Sequence, residues 1–428
     1  MGVTSRLRGS RQANRGLDAV NFFLADVRDG LGPYLAIYLL TIQKWDEASI
    51  GVAMSIAAAA GILAQTPAGA LIDSTRAKRA VMVAAAIAVT AASLLLPMFS
   101  SFLLVAASPA TAHAAAAVFG PALAAVSLGV VGHTAFTKRI GRNESFNHAG
   151  NAFAATTAGV TAYFFGPTVV FYLLAATSLA SVVSVLAIPG HEIDDELARG
   201  LHDKEDRDAA ADGGDTPSGW SVLVTCKPLL VFAVAVVLFH LANAAMLPLV
   251  GQKLALQDKN LGTTLMSACI VAAQIVMVPM AMLVGARADR WGRKPLFLAA
   301  FLILPLRGCL YTVSDSQFWL VAVQTLDGVG AGIFGAVFPV IVADLMRGTG
   351  RFNLAQGAIM TAQGIGAALS TTLAGLVVVH MGYSAAFLTL AGVSMVGALV
   401  FFFGMKETRP PGVQTQKSGT AASAFNPA

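Results

Sequence analysis

Residues 17–41 form an apolar stretch that nevertheless contains Asp18, Asn21, Asp26, Arg28 and Asp29. At about 100° per residue of helix, all five fall on one half of the surface. Phe23, Leu24, Leu31 and Tyr34 take the other half. Charge inside an apolar helix is costly and marks a path for ions or solute. Three carboxylates face one guanidinium, so Arg28 can fully neutralise only one of them. A carboxylate without its own cation in a low dielectric favours its protonated form. Such a group can load and release a proton. Asp26 and Asp29 are the candidates, with Arg28 balancing whichever stays charged.

Other polar groups stand alone within apolar stretches. Asn21, His240, Asn243, Gln274, Gln324, Asp327 and Gln363 are candidate solute contacts. Asp327 and Arg307 are also a candidate structural ion pair, and His240 could instead be a hydrogen-bonded packing residue. Gln65-Thr66-Pro67 reads as a kink. Gly328, Gly330, Gly332 and Gly335 lie in an apolar helix, where they serve packing and bending rather than phosphate binding. There is no nucleophile–base–orienter set, so no catalytic residue is expected and the chain does not read as an enzyme. Cys226, Cys269 and Cys309 lack metal-ligand spacing, and no metal or cofactor is expected.

These residues must be positioned by membrane spans. Of 428 residues, 56% are apolar and only 12% charged, against roughly 25% charged in soluble proteins. Such a chain cannot cover its surface with polar groups, so its solvent is lipid. A span needs about 20 mostly apolar residues. Twelve candidates follow, at 17–41, 49–72, 80–99, 102–131, 147–166, 168–188, 228–252, 262–285, 296–313, 317–345, 354–379 and 384–404. The fold expected is an all-α membrane protein with twelve transmembrane helices in two pseudo-symmetric six-helix bundles, 17–188 and 228–404. A charged linker at 189–227 joins them, with a tail at each end, 1–16 and 405–428. Of the Lys and Arg residues outside the spans, alternate loops hold only Lys44, Lys253 and Lys259. The positive-inside rule then places both tails and the linker in the cytoplasm of a bacterial inner membrane. No basic stripe interleaved with aromatics suggests nucleic acid.

One loop is written twice. Gly69-Ala-Leu-Ile-Asp73-Ser-Thr-Arg76-Ala-Lys78 follows span 2, and Gly285-Ala-Arg-Ala-Asp289-Arg290-Trp-Gly292-Arg293-Lys294 follows span 8, 216 positions later. Spans 1 and 7 pair as well: Phe23-Leu-Ala-Asp26 corresponds to His240-Leu-Ala-Asn243. Arg142…Phe146-Asn147 is read as the counterpart of Arg351-Phe352-Asn353, so spans 5 and 11 are expected to begin near Asn147 and Asn353. A helix N-terminus carries unpaired N–H groups and partial positive charge, so Asp73 and Asp289 would be favoured there.

Six plus six spans, a central linker and this repeated loop resemble the major facilitator superfamily over about 17–404. The second loop matches that family's signature closely; the first has Ser74-Thr75-Arg76 where Arg-x-Gly is usual. The resemblance implies alternating access, a central cavity lined by spans 1, 4, 7 and 10, and a conformational latch in the two loops. Span 5 has Gly-Pro only at its end, Gly166-Pro167, and 105–114 holds no arginine. Both differ from drug-efflux members. The function expected is secondary transport of a small organic solute, coupled to protons, by a monomer in the bilayer. Export is preferred, with import by proton symport or a transport-dead scaffold as alternatives.

Overall fold

The computed structural model describes residues 9–29, 32–98, 101–166, 168–201, 219–257 and 262–410. The described residues are helical throughout their long segments and contain no strand. Eight stretches are long and apolar enough to cross a bilayer. Two of these, Phe102–Phe165 and Phe352–Gly404, are too long for one crossing and break at Gly132 (φ 70°) and Gly382 (φ 83°). Each therefore contains two spans. Span 1 (Arg11–Asp29 with Gly32–Thr41) and span 9 (Arg293–Leu310) complete the twelve. Their charges lower their apolarity but not their helicity.

The breaks obey the repeat. Gly132 and Gly348 (φ 81°) are 216 positions apart, as are Gly166 (φ 81°) and Gly382. A positive φ is strained for any residue with a Cβ, so glycine marks the turns before and after spans 5 and 11 alike. This corrects the start of span 5. Its helix begins just after Gly132, not near Asn147, and carries Lys138, Arg139 and Arg142 in its first turns. The repeat partners of Phe352 and Asn353 are therefore Phe136 and Thr137. Phe136 and Phe352 meet edge-to-face, with ring centroids 5.9 Å apart. The charged run 138–144 hid this boundary because it reads as a loop by hydropathy alone.

The halves cross where glycines replace side chains. A methyl group at Gly69 on span 2 would strike the Asn353 carbonyl of span 11. At Gly285 on span 8 it would lie 2.9 Å from the Gly141 Cα of span 5. Gly141 and Gly357 are again 216 positions apart, and Gly357 packs on the Gln65 backbone. Side-chain-free contacts let helices approach closely in lipid, where packing rather than hydrophobicity drives association. The cores differ between halves. The N-terminal core is mainly alanine, valine and leucine, whereas Phe232, Phe239, Phe297, Phe301 and Phe401 fill the C-terminal one.

Candidate functional site

Start at the basic end, where the repeated loops lie. Asp73 is buried, and its Oδ1 accepts from the Asn353 backbone N–H (3.2 Å) and Nδ2 (2.8 Å). Its Oδ2 accepts from the Leu354 N–H at 2.8 Å. The carboxylate thus caps the N-terminus of span 11, which begins at Phe352. Asp289 faces the equivalent place on span 5 but uses other partners: Thr137 Oγ1 donates at 2.9 Å and Arg293 pairs at 2.8 Å. Arg293 is buried and also bonds Asp344 at 3.0 Å.

The remaining loop residues divide. Lys78 is buried but pairs with Asp195 of the linker at 2.7 Å, not with the other half. The first dozen residues of the charged linker pack across this end. Gly348 N–H donates to the Gly200 carbonyl and Asp194 N–H to the Gly129 carbonyl. Asn353 Nδ2 also reaches the Ala198 carbonyl at 2.8 Å. Arg76 and Arg290 are exposed, and the Arg290 carbonyl accepts from Arg409. Lys294 Nζ donates to the Phe402 carbonyl.

Glu407, in the C-terminal tail, accepts from the backbone N–H groups of Arg293 (2.9 Å) and Lys294 (3.1 Å), capping span 9. Burial pushes its carboxyl up, but those N–H groups, that of Arg409 and the Arg293 charge outweigh burial and hold it below its ordinary value. The Asp73–Asn353 and Asp289–Thr137 contacts join the two halves at this end, and the linker and tail pack against it. That end is closed.

Above the closed end lie two neighbouring cavities, each lined by residues of both halves. The inner one, about 150 Å³, is lined by Asn21, Arg28, Asn143 and Glu144 from the N-terminal half and by Gln356 and Gln363 from the other. The outer one, about 380 Å³, shares Arg28, Gly120 and Met360 and adds Gln65 and His113. Among the described residues no ion pair engages Arg28 or Glu144. Asn147 Nδ2 donates to Glu144 at 3.4 Å. Gln356 is buried, and its Nε2 donates to the Gly120 carbonyl while its Oε1 has no protein partner. Gln65 Oε1 is likewise buried without one.

The other sequence candidates lie elsewhere. Asp26 accepts from Thr177 Oγ1 at 3.1 Å, facing span 6. Asp29 is helical, and its side chain falls outside the described residues. Asp18 is paired with Arg139 and Arg142, both at 2.6 Å, at the basic end. Arg307 is fully buried; it pairs with Asp327 and donates to Asn243 at 2.7 Å. Gln324 donates to Asp327 and accepts from Tyr311. Asn243, Arg307, Gln324 and Asp327 are therefore one satisfied cluster inside the C-terminal half. His240 bonds the Val236 carbonyl and packs on Phe239 and Phe334. Gln274 bonds His148 at 2.9 Å, between spans 8 and 5. Sequence reasoning missed Glu144, Asn143, Gln356 and Gln65. The first two were lost with the misplaced start of span 5.

Known proteins show the same plan. Two relatives from Mycobacterium tuberculosis, strains CDC 1551 / Oshkosh and ATCC 25618 / H37Rv, are each named an uncharacterized MFS-type transporter. Each is 54% identical over 406 residues, covering 95% of this chain and 96% of the relative. Among solved structures, the proton:xylose symporter XylE bound to 6-bromo-6-deoxy-D-glucose superposes with a TM-score of 0.72 at 13% identity. It covers 93% of this chain and 95% of its own. The human organic anion transporter MFSD10 (TETRAN) gives 0.63 at 15% identity, covering 91% and 97%. The family profile described as Major Facilitator Superfamily matches residues 17–304 and 232–427. Repeated loops, twelve spans and these matches agree: the chain is a membrane transporter belonging to the Major Facilitator Superfamily.

Proposed function

We propose that this chain is a proton-coupled secondary carrier of a small organic solute, working by alternating access about the cavity between its halves. The observation that carries the reading is a polar cavity walled by both halves above an end that is closed by contacts between them. Binding near the interface of two repeats, with the repeats rocking about it, is how such folds expose one site to two sides. We assign the basic end, both tails and the linker to the cytoplasm of a bacterial inner membrane, in line with the positive-inside rule. The two bundles, 17–188 and 228–404, are the moving bodies of a monomer.

Asp26 is the proposed proton carrier. It shares one helix with Arg28, so a change of charge at Asp26 acts on the element that lines the cavity. Its repeat counterpart is the neutral Asn243. The direction assigned is export in exchange for protons; import by symport is the alternative.

The test is reconstitution in liposomes under an imposed pH gradient, with a broad panel of radiolabelled solutes. Uphill movement of a solute from the basic side supports export, and movement the other way supports import. Asp26→Asn should abolish uphill movement while preserving solute exchange. Full uphill transport with unaltered pH dependence in that variant would place coupling elsewhere.

A further inference from the structure

The inner cavity presents one cation and one anion to the same small space. Arg28 comes from span 1 and Glu144 from span 5, and among the described residues neither is engaged in an ion pair. Both are half-buried, and a charge drawn out of water without a counter-charge is costly. A neutral solute satisfies neither group fully. A simple anion satisfies Arg28 and is repelled by Glu144, and a simple cation does the reverse. A solute bearing both charges neutralises both walls at once. Gln356 adds a second constraint. Its amide nitrogen gives one of its two N–H groups to the Gly120 carbonyl, whereas its acceptor, Oε1, is buried with no protein partner at all. A buried acceptor calls for a donor, and an ammonium has three N–H groups to share between Glu144 and Gln356. A guanidinium in turn matches a carboxylate with two parallel bonds.

We propose that the inner cavity binds a small zwitterion of the α-amino-acid class, with its carboxylate on Arg28 and its ammonium on Glu144 and Gln356 Oε1. The proposal rests on the carrier reading above and names its substrate class. Size restricts the class further. A cavity of about 150 Å³ holds a body about as large as benzene. Phe338 and Met360 supply an apolar wall, so the side chain of the solute is short and apolar.

The full-length protein in nanodiscs is tested by thermal shift and by equilibrium binding of radiolabelled glycine, L-alanine and L-valine. For each, the deaminated acid and the decarboxylated amine serve as matched single-charge probes. At least one amino acid should bind while its two single-charge counterparts bind about tenfold more weakly or worse. Arg28→Gln and Glu144→Gln should each weaken that binding by about tenfold or more, and Gln356→Leu by less. Each variant's melting temperature without solute reports whether it folds; Glu144→Gln keeps the side-chain shape and is the decisive one. Equal binding of the acid or the amine overturns the proposal, as does the absence of binding by all three amino acids. Undiminished binding in a folded Glu144→Gln protein does the same. Binding of an amino acid without uphill transport would leave this assignment standing and sink the carrier reading. Uphill transport of some other solute, with no amino acid bound, would do the opposite.

Discussion

Asp73 and Asp289 occupy the same position in two copies of one loop, yet they are held differently. Asp73 is buried and anchored to two backbone N–H groups and one side-chain amide at a helix N-terminus. Asp289 is about one-third exposed and sits beside an arginine that a second carboxylate, Asp344, also holds. The first contact is carried by helix-end charge and backbone donors, which no side-chain substitution on the partner helix can remove. The second is carried by a side-chain network that can redistribute. Symmetry of sequence thus places the two loop contacts but does not set how firmly each is held.

The largest expected effect tests the helix crossings under the two loop contacts. Gly69→Ala drives a methyl group into the Asn353 backbone, whereas Gly285→Ala meets Gly141, which has no side chain. Overpacking costs about 1–3 kcal/mol, and Gly69→Ala should fall at the upper end. Spin labels at Ser74→Cys and Arg290→Cys report the separation of the basic ends. Gly69→Ala should shift that distance distribution toward the open form far more than Gly285→Ala. Equal shifts would remove the asymmetry between the loop contacts.

A smaller effect is expected from the carboxylates. Asp73→Asn leaves backbone donors facing a neutral group and should cost the closed state about 1–2 kcal/mol. Asp289→Asn should cost less than about 1 kcal/mol, because Arg293 keeps Asp344. In both variants switching should suffer more than folding, since the contact between halves belongs to the closed state. Solute-exchange rates at matched expression, set beside thermal melting, measure the two separately. Unchanged transport by Asp289→Asn at wild-type expression would remove Asp289 from the latch.

The smallest effect concerns the tail, whose described residues contact the second loop. The carboxyl of Glu407 is held below its ordinary value of 4.5. A depressed carboxylate stabilises the fold fully above its unfolded value and loses that contribution as pH falls through its folded value. Melting temperature should therefore drop between about pH 5 and pH 3 more steeply in the wild type than in Glu407→Gln. The difference should correspond to less than about 1 kcal/mol, because the group is partly exposed. Parallel acid profiles would show that the tail cap contributes nothing to the second loop contact.

The chain's apolarity, its span count and the repeated loop were legible in the sequence because each follows from local composition or from identity at a fixed offset. The 216-residue repeat even marks the positive-φ glycines and the crossing glycines, since both halves need the same turns and close approaches. The cavity was legible only in part: Asn21, Arg28 and Gln363 stood out as polar groups in apolar spans and do line it, but its other polar groups did not, because they break the repeat. Glu144 stands opposite Met360, and Gln356 opposite Ile140. Nothing local distinguishes such a residue from one in a polar turn or a buried cluster. Asp327, Asn243 and Gln324 looked like solute contacts and satisfy one another around Arg307 instead. Glu144 looked like part of a loop and faces the space between the halves. Sequence determined the scaffold, its turns and its repeated loops, because those depend on backbone geometry and hydrophobic periodicity. Only the tertiary structure decided which charges meet each other and which are left facing a cavity, because that depends on partners from distant spans.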